Sequence, residues 1–232
     1  MTQVLLCKRV IWVPTWKGWV LLMGTIFLCA LLFLKAAYPI LAPTQRQDAN
    51  ILVVEGWLPE YALTAAIDEY HAHDGYQYLI TSGGPLWEGH HASGFHSYAG
   101  LAAQVIRAQT FDTNQLVVAH GPKVWRHRTY HSALAVRECL QSLDHDITGI
   151  NVMTLGPHGR RTKIIFENVL RDLAPVGIIS YPSAEYDARR WWRTSEGTKH
   201  LLTEALASTY EWLFESGRPT DPPISKPPLP TL

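Results

Sequence analysis

The apolar positions divide the chain into two regimes. Residues 18–34, GWVLLMGTIFLCALLFL, contain no charged side chain, and apolar residues on every face for that length mark a helix surrounded by lipid rather than one face of a core. The run reaches the lower limit for a bilayer-spanning helix, and Lys35 can snorkel so that the span extends to residue 38. Trp12, Trp16 and Trp19 before it and Tyr38 after it sit where interfacial anchors are expected. Further on, short apolar runs alternate with helical spacing. NILVVEGW, YQYLITSGG, NQLVVAHG, GINVMTLG and VGIISYP each read as a strand. Between them, Leu63/Ala66/Ile67/Tyr70, Tyr98/Leu101/Ala102/Val105, Ala133/Val136/Leu140/Leu143 and Phe166/Val169/Leu170/Leu173 recur at helical spacing. A last stripe, Leu202/Ala205/Leu206/Thr209/Leu213, predicts a final helix with that face turned to the core. Strands apolar on both faces, separated by amphipathic helices, predict an α/β fold: a three-layer α/β/α domain around a mainly parallel five-stranded sheet, preceded by one transmembrane helix.

Charge adds a direction. The formal net charge is zero and the pI about 7.2, which gives no support to a nucleic-acid partner. Yet Lys8, Arg9, Lys17 and Lys35 precede the first acid, Asp48. Basic flanking residues stay on the cytoplasmic side, so everything after the span is expected outside the membrane. The apolar run is longer than a signal-peptide core and lacks a small-x-small cleavage site, which predicts an uncleaved signal anchor. The organisation is then a basic cytoplasmic segment (1–17), a transmembrane anchor (18–38), a polar linker (39–49), the α/β domain (50–215) and a Pro-rich tail (216–232). Cys7 and Cys29 lie before or within the span, which leaves Cys139 alone in the domain with no disulfide partner.

Ligands of open parallel sheets bind beyond the carboxyl ends of the strands, and here those ends share a polar character. The first run ends in Glu55, Gly56 and Trp57, and the second in Ser82, Gly83 and Gly84. The third is followed by WRHRTYHS, in which Arg128 and Thr129 open a helix. The fourth passes into GPHGRRTK, with His158, Arg160 and Arg161. Glycines after a strand make a tight turn or let backbone amides approach an anion. Cations in the first turn of a helix oppose its dipole, which points to an anion held there by arginine and the helix N-terminus together. Arg161 is the favoured ligand-binding arginine and Arg160 the solvated one. Glu55 has three open readings: general base, ligand for a hydroxyl or metal, or ion-pair partner of an arginine. His71, His73, His90, His91 and His96 match no helical zinc spacing, and no metal site is expected. The absence of a G-x-S-x-G elbow and of a Walker loop argues against an ordinary α/β-hydrolase and a nucleoside triphosphatase.

The order of these motifs (an N-terminal anchor, a first strand ending in Gly56, then SGG, RT opening a helix, G-x-H-x-x-R after the fourth strand, and a late WW…SEG) resembles the YdcF/SanA/ElyC family of bacterial envelope proteins, a domain of unknown function. The likeness spans roughly residues 50–214 and, with EGW in place of a Gly-rich first strand end, is that of a divergent subgroup. It implies a Rossmann-like fold in a periplasmic domain held at the bacterial inner membrane. It also implies a role in cell-envelope biogenesis, in peptidoglycan, polysaccharide or lipid-carrier metabolism. The matching positions are Gly56, Ser82, Gly83, Gly84, Arg128, Thr129, His158 and Arg161.

Two classes of function stand side by side. In the first, Gly56, the Ser82–Gly84 amides, Arg128, Thr129 and Arg161 bind a phosphorylated envelope intermediate. His158 is then a general acid or nucleophile, and Glu55 orients water or a sugar hydroxyl. In the second, the domain is a non-catalytic assembly factor that binds envelope proteins through the tryptophans outside the span (Trp57, Trp87, Trp125, Trp191, Trp192 and Trp212) and the Pro-rich tail. A nucleotide or S-adenosylmethionine-type ligand in the same crevice is a further alternative, and no cofactor is identified.

Overall fold

The computed structural model describes residues 12–86, 94–109 and 111–214. Lys8 and Arg9, the His90–His91 pair and the Pro-rich tail fall outside the described residues. The chain divides into two units, one ending at Ala37 and the other beginning at Tyr38. Helix α1 (Trp16–Leu41) has 26 residues and is long and apolar enough to cross a bilayer.

The second unit is an α/β domain in which five parallel strands alternate with helices. β1 (Ile51–Glu55) leads to α2 (Glu60–Ala72), and β2 (Tyr78–Gly83) to α3 (Tyr98–Ala108). β3 (Leu116–His120) leads to α4 (Arg128–Ser142), and β4 (Ile150–Leu155) to α5 (Gly159–Leu170). β5 (Val176–Tyr181) is followed by a 3-10 segment and by α6 (Ser195–Phe214). The strand order is β3-β2-β1-β4-β5, with Glu55 opposite Ser82 on one side of β1 and Val54 opposite Met153 on the other. Progress along the sheet therefore reverses between β1 and β4, which opens a crevice at their carboxyl ends.

Alternate residues of each strand feed two cores. Leu52, Val54, Leu79 and Met153 pack with α2 and α3, whereas Ile51, Val53, Ile80 and Val152 pack with α4 and α5. Every residue of β1 and β4 is buried, as strands covered on both faces require. The expected faces of α2, α4 and α5 hold: Leu63, Ala66, Ile67 and Tyr70, then Ala133, Val136 and Leu140, then Phe166, Val169 and Leu170 are all buried.

Two helices depart from expectation. α3 buries Ala102 as expected, but with Ala99, Ala103 and Ile106 beside it, while Tyr98, Leu101 and Val105 are only half-buried. Its small-residue face is needed because the N-terminal turn lies directly on β1 and β2: a Cβ on Gly56 would stand 2.6 Å from the Tyr98 carbonyl oxygen. α6 is turned almost half a revolution. It buries Gly197, Leu201, Glu204, Ser208 and Glu211, while Leu202, Leu206 and Leu213 are 47%, 75% and 56% exposed. Both stripes are helical in period, and the polar one wins because it packs against α5 and the turn after β4, where it meets partners for its charges. The segment read as a linker is also bound to the domain. Gln45 exchanges backbone hydrogen bonds with Ile178 (2.8 and 2.9 Å) along the edge strand β5. Arg46 grips Glu69 through two hydrogen bonds, and Asn151 brackets the backbone of Gln47.

Candidate functional site

Beyond the carboxyl ends of the strands lies a cavity of about 590 Å3, a size ordinary for small-molecule sites. Gly83 and Gly84, Arg128 and Thr129, Glu55, His158 and Arg161 all line it, so strand ends far apart in sequence meet in one place. Two expected members do not line it. Ser82 is buried and donates to the Val54 carbonyl, and Gly56 is consumed by the close approach of α3. Both hold the sheet and the helix together.

The floor of the cavity is a buried charge network built on the turn from β4 to α5. Gly156 adopts φ +50°, a conformation open to glycine at little cost, and this turns the chain out of the sheet. His158 is thereby placed just before α5, with 7% of its surface exposed. Its Nδ1–H donates to Glu204 Oε1 at 3.0 Å, and Arg161 clamps the same carboxylate through Nε and Nη2, each at 2.9 Å. Glu55, also buried, accepts hydrogen bonds from the hydroxyls of Thr154 and, at 3.4 Å, of Thr162. His158 Nε2 stands 3.6 Å from Glu55 Oε2, beyond hydrogen-bond reach, and it is a buried polar atom with no hydrogen-bond partner. The Trp57 ring packs edge-on against the imidazole, centroids 5.2 Å apart.

The charge states follow from this arrangement. Burial pulls the His158 pKa down, but the nearby Glu55 charge and the hydrogen bond to Glu204 together overcome it and raise it to about 9. Burial raises Glu204, yet His158 and Arg161 hold it well below the ordinary carboxylate range. Burial pushes Glu55 up most strongly, but the charge of His158, the Thr154 hydrogen bond and the Arg161 charge together hold it below the ordinary value. At neutral pH His158 is thus an imidazolium between two carboxylates, with one N–H satisfied and the other not.

α4 contributes Arg128 and Thr129 to the lining of the cavity. His127 precedes it in the left-handed region (φ 52°, ψ 35°) and supplies no side-chain cap to the helix. Arg128 is exposed and has no acidic partner among the described residues, in contrast to Arg161. His200, on α6 one turn before Glu204, also lines the cavity; its Nδ1 lies 2.8 Å from the Tyr186 hydroxyl, and burial lowers its pKa.

Glu204 is the member that sequence reasoning missed. Its signal was present: Gly197, Leu201, Glu204, Ser208 and Glu211 form a helical stripe that competes with the apolar one. Thr154 and Thr162, the donors to Glu55, flank the His158 turn and were also overlooked. Among the described residues no group of three or more His, Cys, Asp or Glu side chains is disposed to hold a metal ion. Fold and site together define a Rossmann-like α/β/α protein with a charged crevice at its topological switch point. The chain matches no family model and no curated protein.

Proposed function

We propose that the chain is a single-pass, membrane-anchored protein of the bacterial cell envelope whose crevice binds a phosphorylated ligand. The observation that carries this reading is the convergence on one cavity of the buried imidazolium of His158, of Arg128 and Thr129, and of a helix N-terminus whose N-cap residue supplies no side-chain hydrogen bond. The Nε2–H of His158 has the Glu55 carboxylate 3.6 Å away, near enough for an ion pair and too far for a hydrogen bond, so a ligand oxygen would supply the hydrogen bond it lacks. The N–H groups of the first turn of α4 and the Arg128 guanidinium suit the remaining oxygens of a phosphate.

The roles divide by what each side chain already holds. Arg161 is committed to Glu204 and positions it, so Arg128 becomes the principal phosphate cation. Glu55 and Glu204 keep His158 protonated. A protonated imidazole is a poor nucleophile and a competent general acid, so in hydrolysis of a phosphate ester it would donate its Nε2 proton to the departing oxygen while water attacks phosphorus. The envelope setting and the extracytoplasmic side rest on the resemblance and on the basic N-terminal flank.

Thermal unfolding of the detergent-solubilised full chain tests the binding. Inorganic phosphate and phenyl phosphate should raise the wild-type Tm, and the rise should be lost in Arg128→Ala and in His158→Asn. Equal rises in wild type and both variants would refute the assignment.

A further inference from the structure

The inverted helix α6 leaves an apolar face with no partner in the domain. Leu202, Leu206, Tyr210 and Leu213 follow one another at i, i+4, i+8 and i+11, and all are 47–75% exposed. Trp212 and Phe214 flank the stripe at 71% and 61% exposure. A stripe of this size on a helix whose other side is buried in the domain is more than scattered surface leucines. Its N-terminal border is basic and aromatic. Lys199 lies one turn before Leu202 on the same face, and Arg189, Arg190, Trp192 and Arg193 are exposed in the segment leading into α6. Four cations there stand against Asp187 and Glu196.

We infer that α6 docks on the lipid bilayer, its leucine stripe at the acyl boundary and its basic border among anionic headgroups. The inference rests on the membrane-anchoring reading proposed above. Three features select a bilayer as the occupant. Apolar residues bordered by Arg, Lys and Trp are the composition of interfacial helices. The cations are matched to acidic lipid headgroups. The chain itself contains a helix of membrane length and apolarity, Trp16–Leu41. The opposite face of the same helix carries His200 and Glu204 into the crevice, so a phosphorylated headgroup at the bilayer surface would lie within one helix diameter of the site, about 10–12 Å.

The test uses the full chain with Cys7, Cys29 and Cys139 replaced by serine. A single cysteine at Leu206 or Leu213, or at the exposed Gln104 on α3 as a control, carries an environment-sensitive fluorophore. Each protein is reconstituted into phosphatidylglycerol/phosphatidylcholine vesicles, with and without brominated acyl chains. The expected result is strong quenching and a blue shift at 206 and 213 and neither at 104. Replacing Arg189, Arg190, Arg193 and Lys199 with alanine should reduce the quenching several-fold. Vesicle flotation separates the two levels. Protein that floats while 206 remains unquenched overturns the docking alone, whether the label is bathed in water or covered by a second copy. Protein that does not float overturns the anchoring as well.

Discussion

His158 is a histidine that its neighbours do not allow to behave as a free imidazole. Its N–H toward Glu204 is satisfied, its N–H toward Glu55 is not, and both carboxylates favour the charged form. Because its pKa rises from 6.5 to about 9 on folding, its contribution to stability is complete below about pH 6.5 and is lost as pH rises through about 9. Glu55 and Glu204 are shifted the other way, so their contributions are present above the ordinary carboxylate range and fade as pH falls through their lowered values. Denaturant titrations across pH should therefore show an alkaline decline that disappears in His158→Asn. Glu204→Gln leaves His158 and Arg161 partly buried against a neutral group and should cost about 3–5 kcal/mol, the usual penalty for breaking a buried pair. A loss within about 0.5 kcal/mol, the range of an ordinary surface change, would show that the network carries no such load. Glu55 and His158 were legible in the sequence because a charge directly beyond an apolar strand is conspicuous. Glu204 was not, because it lies in the middle of a helix, 46 residues from His158, and only tertiary packing reveals the pair.

At the scale of elements, local hydrophobic pattern predicted the strands well and the helix faces unevenly. β1 and β4 are apolar on both faces, and that pattern has one reading, a central buried strand. A helix can present two stripes of equal period, and then the apolar one need not be the buried one. α3 selects its alanines because Gly56 and Gly83 bring it close to the sheet. α6 selects Leu201 and Glu204 because that face packs against α5 and the turn after β4, where Glu204 meets His158 and Arg161. Two substitutions separate these faces in thermal unfolding of detergent-solubilised protein. Leu201→Ala should cost about 2–5 kcal/mol, as truncation of a fully buried leucine does. Leu206→Ala should change stability by no more than about 0.5 kcal/mol. The reverse order would mean that the apolar stripe faces the core after all.

For the whole molecule, the alternation of strands and helices specified the parallel sheet, while the reversal of strand order between β1 and β4 could not be read from local pattern. That reversal is what brings Glu55 and the His158 turn, a hundred residues apart in the chain, to a single crevice. The binding of an anion there is the central claim, and imidazole nitrogen NMR of 15N-histidine-labelled protein tests it most directly. In a phosphate titration at pH 7, the His158 resonances, assigned by their loss in His158→Asn, should report a doubly protonated ring throughout. The Nε2 signal should shift to saturation with added phosphate in wild type and stay unmoved in Arg128→Ala. A neutral His158 ring, or an Nε2 signal indifferent to phosphate in wild type, would contradict the account.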